Sequence, residues 1–254
     1  MNNRPFHIYS DCLGSLKHVE AFDLLDEKRS DKLELFKIQA AATDMTKDIK
    51  ETIVTAPKIL PFAAEKYNIS PNIKDYILCC VVVLPSDLPN KNGIAFSHAE
   101  LSSFVVDAGS LCYDTFRYRP IHLEHANKDP SIAKGIILSS SYKRMTGFKG
   151  NLWKVICLCA VDRNRDKVLA DRVLNEKDTG FSLGSLCADY RCSITGNLFS
   201  SGQAENYTKL GKPSFQVVGN NLAFLNAIDS LMFEVSVVAS EAYSSARTPY
   251  KMTF

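Results

Sequence analysis

Two apolar runs set the limits on what this chain can fold into. Tyr76 to Leu84 reads Tyr-Ile-Leu-Cys-Cys-Val-Val-Val-Leu and stops at Pro85, and Leu152 to Asp162 reads Leu-Trp-Lys-Val-Ile-Cys-Leu-Cys-Ala-Val-Asp. Both are rich in β-branched residues and have the length of a buried strand. Ile77 to Leu84 is the longest apolar run in the sequence and is too short to span a bilayer. Further short strand candidates follow at Phe104–Asp107, Ile121–His125, Gly135–Tyr142, the alternating stretch from Phe181, a return through Tyr190 to Ile194, Phe215–Val218 and Phe233–Ala239. Between them lies one helical pattern, capped at Asp162 or Asn164 and running to about Glu176, with Val168, Leu169, Val173 and Leu174 on its apolar side. Many strands with so few helices between them predict an α+β protein built on a mainly antiparallel sheet or barrel.

The first 75 residues read differently. Glu20–Lys28 is a short amphipathic piece, and Lys32–Val54 places Leu33, Phe36, Ala40, Ile49 and Ile53 roughly at helical spacing. Pro57 and Pro61 break that pattern, leaving Phe62–Tyr67 as a further helical turn or two. The chain thus divides into a helical N-terminal segment (1–75) that serves as a cap, assembly surface or pro-segment, a main domain (76–245) and a tail (246–254). There is no internal repeat.

Composition narrows the function classes. With 254 residues the chain can bury a substantial core, and a net charge of +2 gives no basic field to attract nucleic acid or an anionic membrane. The polar start Met-Asn-Asn-Arg-Pro lacks the apolar stretch of a signal peptide, so a soluble intracellular protein is expected. Of the eight cysteines, Cys79, Cys80, Cys157 and Cys159 lie inside apolar runs and read as core residues. Cys187 and Cys192 stand in a polar context, but no second Cys or His pair lies near enough to complete a zinc site. No disulfide, metal or cofactor is expected.

The residues with chemical potential lie in three separate segments. In Gly-Phe-Ser-Leu-Gly (180–184), alternation puts Phe181 and Leu183 on one face and Ser182 and Gly184 on the other. The hydroxyl thus stands beside a bare position that gives room for an approaching backbone, though a polar strand residue facing water has the same pattern. A serine nucleophile needs a base, and the base an orienting partner. His7, His18 and His98 sit in no telling context. His125, in Pro-Ile-His-Leu-Glu-His, is placed at a strand end with Ile121 and Leu123 on its face if the strand continues that far, while His122 and Glu124 point the other way. A structural histidine fits the same pattern. Glu234, in Leu-Met-Phe-Glu-Val-Ser-Val-Val, is a carboxylate in an apolar strand with Met232 and Ser236 as same-face neighbours. Such a group needs a partner, an imidazole or an arginine. Asp189 and Asp229 are lesser candidates for the orienting acid, and Cys187 is a weaker candidate nucleophile.

Taken in order, Pro-Ile-His-Leu-Glu-His, Gly-Phe-Ser-Leu-Gly and Phe-Glu-Val-Ser-Val-Val resemble the capsid maturation (prohead) proteases of tailed phages. These are serine proteases that share a fold with herpesvirus assemblin. Other common features are the small-residue strand Ala133–Ser139 after the histidine, a helix before Ser-x-Gly, and a stretch Ser182–Asn197 similar to versions from large myophages. The resemblance covers about residues 100 to 245 and leaves the first 75 unmatched. It implies a herpesvirus-protease-like β core carrying Ser182 as nucleophile, His125 as general base and Glu234 as orienting acid. Herpesvirus relatives use a second histidine in the third role, and no histidine follows His125 here. The oxyanion donors are left open between backbone amides near Gly184 and the 196–204 loop.

The implied activity is that of a serine endopeptidase working through an acyl-enzyme inside an assembling virion prohead, in the cytoplasm of the host cell. Its partners would be protein substrates (scaffold, major capsid protein and the protease itself), cut after glutamate. Neither nucleic acid nor membrane is a direct partner, and a homo-oligomer is implied by the likeness alone. Ala239-Ser240-Glu241 has the form of such a cleavage motif. The alternative reading is a non-catalytic structural or assembly protein of the virion on a related β-scaffold.

Overall fold

The computed structural model describes residues 8–9, 51–145, 152–175, 179–203, 217–218, 221–239, 241, 243, 246 and 250–253. Fourteen strands lie among them, the first being β1 (Ile8–Tyr9), β2 (Tyr76–Pro85), β3 (Ile94–Ala95), β4 (Phe104–Val105) and β5 (Ser110–Leu111). They continue with β6 (Pro120–Leu123), β7 (Gly135–Arg144), β8 (Trp153–Asp162), β9 (Gly180–Cys192) and β10 (Leu198–Ser200). The last four are β11 (Val217–Val218), β12 (Asn221–Leu222), β13 (Leu225–Val238) and β14 (Tyr250–Thr253). Helix α1 is described over 51–67, α2 spans His98–Leu101 and α3 spans Lys167–Asn175.

Ten of the strands form one sheet in the order β1-β9-β13-β6-β7-β8-β2-β14, with β10 added beside β9 and β3 beside β13. All pairings within it are antiparallel except β13 with β3 and with β6. The strands β2 and β9 lie far apart in this order yet touch, because the sheet curls into a half-barrel. The α+β class and the antiparallel-rich core expected from the sequence are therefore present.

The curl encloses the larger core. Ile77, Cys79 and Val81 of β2 meet Val155, Cys157 and Cys159 of β8, Phe181 and Leu183 of β9, Val235 and Val237 of β13, and Leu169 and Val173 of α3. The residues between them point the other way: Tyr76, Leu78, Cys80 and Val82 join Ile136, Leu138, Ile156, Leu158 and Ala160 in a second core. Its outer cover is α1, through Ala56, Leu60, Ala63 and Tyr67. Strands apolar on both faces read as unbroken apolar runs, which is why these segments were so legible. Gly135 lets β7 lie close to β8, since a Cβ there would fall 2.0 Å from the Ala160 carbonyl oxygen.

Three expectations change. Pro57 and Pro61 do not break the helix, which runs through both. Each proline removes an amide donor, but both are exposed, and the buried stripe opposite them binds the helix to the sheet. The return after the Ser182 strand does not exist as a separate strand, because β9 continues to Cys192. The residues set apart as a tail include β14, which pairs with β2 along Tyr250–Thr253. The 20–28 piece and nearly all of the 32–54 helix lie outside the described residues.

Candidate active site

The sheet's remaining face, on β6, β13 and β9, is polar. Pairing fixes which residues share it. Ser182 stands opposite Ser236 and Gly184 opposite Glu234 across β9 and β13, and Ser236 pairs in turn with His122 of β6. Facing residues on neighbouring strands project from the same side of a sheet. Ser182, Ser236 and His122 therefore form one row, with Glu234 two residues along from Ser236. All four are buried: Ser182 is 4% exposed, His122 1%, and Glu234 and Ser236 0%.

His125 reaches this face by a route that alternation did not foresee. Strand β6 ends at Leu123, and Glu124 and His125 then both take left-handed backbone angles (φ 48° and 55°). That conformation is disfavoured for residues with a Cβ and concentrates at functional sites. It is held here because Glu124 N–H donates to Val237 O (2.9 Å), Glu124 Oε1 accepts from Ala239 N–H (2.7 Å), and His125 N–H donates to Ser236 Oγ (3.2 Å). The imidazole thus meets a polar neighbourhood, not the apolar wall of Ile121 and Leu123.

Glu234 is the hub. Its Oε1 is 2.7 Å from His125 Nδ1 and accepts from Asn127 Nδ2 at 2.7 Å, while Oε2 accepts from Ser236 Oγ at 3.1 Å. A buried carboxylate without partners costs several kcal/mol, and these donors remove most of that cost. With Nδ1–H donated to Glu234, neutral His125 keeps a lone pair on Nε2, the arrangement a general base needs. The imidazole is 4% exposed.

The space beside Gly184 is filled from within the chain. A Cβ at Gly184 would fall 2.5 Å from Glu234 Cγ and 2.8 Å from Phe233 Cζ. A β-bulge between Met232 and Glu234 brings Phe233 there and leaves Met232 in the larger core, reversing the faces expected for those two residues. Gly184 therefore clears room for the carboxylate, not for an incoming peptide.

The other candidates lie elsewhere. Cys187 faces the larger core with Phe181 and Leu183, and burial pushes its thiol pKa up, the opposite of a reactive thiolate. Ser185 Oγ sits 3.7 Å from Cys187 Sγ. Asp189 pairs with Ile228 far along β9, roughly 20 Å from Ser182 by strand rise, and Asp229 is exposed. His98 stacks on Tyr142 and Trp153, and His7 and His18 lie outside the described residues. No group of His, Cys, Asp and Glu among the described residues could hold a metal ion, and no described helix is long and apolar enough to cross a membrane.

The structure thus brings His125 and Glu234 into direct contact and sets Ser182 on the same buried face. Among the described residues, Ser182 Oγ makes no hydrogen bond. Sequence reasoning missed Asn127 and the parts played by His122 and Ser236. Ser236 was within reach, since Glu-x-Ser in a strand shares a face, whereas nothing in the sequence ties Asn127 to Glu234.

Comparison of the chain with protein families, curated proteins and solved structures found no match.

Proposed function

We propose that the protein is a serine endopeptidase with Ser182 as nucleophile, His125 as general base and Glu234 as orienting acid. The observation that carries this reading is the buried His125–Glu234 pair, 2.7 Å apart, on the sheet face that also bears Ser182. An imidazole locked by a carboxylate beside a serine row is the arrangement that acyl transfer requires. In the reaction, Ser182 Oγ bonds to the scissile carbonyl carbon as its proton passes to His125 Nε2. The carbonyl π pair moves onto oxygen. Collapse of that intermediate expels the amine, which takes the proton from His125, and water then releases the acyl group by the same steps. Glu234 holds the ring in the correct tautomer throughout and stabilises the transient imidazolium. Catalytic contacts are often long in a free enzyme and tighten on the substrate, which is the place of the unbonded Ser182 hydroxyl in this account.

The resemblance to prohead proteases extends the proposal to context: a homo-oligomer inside a phage prohead in the host cytoplasm, cutting scaffold, capsid protein and itself after glutamate. Glu241 is not freely available for such a cut, being buried (6% exposed), with Lys91 Nζ at 3.7 Å. The alternative, a non-catalytic virion protein on a related scaffold, draws its support from the same unbonded Ser182. Intact mass of the purified protein on standing, wild type beside Ser182→Ala, separates the two. Self-trimming after glutamate in the wild type alone supports the protease. An unchanged wild type that also leaves a scaffold-like substrate whole supports the structural role.

A further inference from the structure

A serine protease must stabilise the oxyanion that forms on the substrate, and the polar face lacks an obvious backbone donor for it. Phe181 N–H points to the outer edge of β9, where it donates to Ala246 O at 2.7 Å, so by strand alternation Gly184 N–H turns inward toward β13. The described part of the 196–204 loop (196–203) returns to β9 through β10, which pairs with Asp189–Arg191, roughly 22–30 Å from Ser182 by strand rise. Neither the Gly184 amide nor the β10 end of that loop is placed to serve.

His122 offers another donor. It lies in the Ser182–Ser236–His122 row, its Cα about 10 Å from that of Ser182 by sheet spacing, with Ser236 between them. Ser236 Oγ is already committed, accepting from His125 N–H and donating to Glu234. His122 Nδ1 is buried with no hydrogen-bond partner, and no contact among the described residues satisfies it. An unpaired buried polar nitrogen costs about 1–3 kcal/mol, so its retention in the row that bears Ser182 calls for a partner that arrives with the ligand. Burial also lowers the pKa of His122, which keeps it neutral. A second cation beside His125 would oppose the imidazolium that catalysis creates; a neutral N–H does not. Neutral imidazoles are effective electrophiles for carbonyl oxygens.

We infer that His122 is a neutral hydrogen-bond donor to the oxyanion formed at Ser182, with its ring proton on the unpartnered Nδ1. Its proton stays on the ring throughout, and its bond to oxygen strengthens as the carbonyl becomes tetrahedral. This assignment rests on the serine-protease reading above.

A peptide boronate, which forms a tetrahedral adduct on a serine hydroxyl, tests it on the full chain. Wild type, Ser182→Ala, His122→Phe and His122→Asn are compared for adduct affinity, kcat and KM. The expected result is adduct in the wild type and none in Ser182→Ala. His122→Phe should lose about 100-fold in adduct affinity and kcat, with KM changed by less than about 3-fold, and His122→Asn, which keeps a side-chain N–H, should recover part of both. In the wild type, ¹⁵N NMR should find His122 neutral near pH 7 and its Nδ1–H resonance moved by the adduct, a readout independent of whether the variants fold. Wild-type adduct with His122→Phe unimpaired, or an imidazolium His122 in the free protein, overturns the assignment alone. No adduct even in the wild type overturns the protease reading and this inference with it.

Discussion

The two halves of the curled sheet solve the burial of β-strands in opposite ways. In the half made of β2, β7 and β8, both faces are mainly apolar, one turned to the larger core and the other covered by α1, with Ser139–Ser141 and Lys154 as buried polar exceptions. In the half made of β6, β13 and β9, one face is apolar and the other carries Ser182, Ser236, His122 and Glu234. Those polar groups are as buried as the apolar ones. The first half is held by non-directional packing and tolerates no extra volume at its glycine. The second is held by directed hydrogen bonds, with two left-handed residues and a β-bulge used to aim them. Unpartnered buried polar atoms occur in both halves, at Ser139 and Trp153 in the first and at His122 and Ser230 in the second, but only the second sets one in a row with a serine and beside two left-handed residues.

Mutations should separate these roles. The largest effect is expected from Ser182→Ala, a loss of about 10⁴-fold or more in peptidase rate, with midpoint of denaturation nearly unchanged. A rate within tenfold of wild type would remove Ser182 from the mechanism. In the apolar half, Leu60→Ala opens the second core beneath α1 and should cost about 2–5 kcal/mol by urea unfolding, with residual activity per folded molecule intact.

The paired glycines sharpen the contrast. Gly135→Ala puts a methyl against backbone that cannot yield, 2.0 Å from the Ala160 carbonyl oxygen, and should destabilise by about 3 kcal/mol without altering chemistry in the molecules that remain folded. Gly184→Ala instead collides with side chains, Glu234 Cγ at 2.5 Å and Phe233 Cζ at 2.8 Å, not with backbone. It should cost only about 1–2 kcal/mol in stability but lower kcat at least about tenfold by dislodging the orienting acid. Equal activity losses in the two variants, after correction for folded fraction, would erase the distinction between the halves.

How much of this was legible follows the same division. The apolar half was open to sequence reading because strands buried on both faces need long apolar runs. Ser182, His125 and Glu234 were each singled out, with an imidazole among the partners expected for Glu234, but the path that carries His125 to that face was not. A strand-alternation rule extended through His125 turns it the wrong way, because two consecutive left-handed residues redirect the chain and no glycine announces them. The same rule misassigns Phe233 and Met232, since one bulge residue shifts the register of all that follows. The prolines of α1 misled for a different reason: helix-breaking is a local preference, and the stripe Ala56, Leu60, Ala63 and Tyr67 binds to a sheet that local reading does not see. Asn127 became visible only when β6 and β13 were placed side by side.

The smallest expected effect is in acid. Burial lowers the pKa of His122 below its ordinary 6.5, so the unfolded chain takes up that proton first as pH falls. Its contribution to stability is therefore intact above about pH 6.5 and is lost as pH drops through the folded value. His122→Phe should flatten the pH dependence of the urea midpoint on that side, and an unchanged slope would locate the acid sensitivity elsewhere.

In the proposed mechanism Ser182 is a nucleophile activated by the His125–Glu234 pair. A fluorophosphonate probe followed by intact mass and peptide mapping tests it most directly, on the wild type, Ser182→Ala, His125→Ala and Glu234→Gln. The expected result is one adduct at Ser182 in the wild type, none in Ser182→Ala, and slowed labelling in the other two. No adduct, an adduct at Ser185 or another residue, or a labelling rate indifferent to His125 would contradict it.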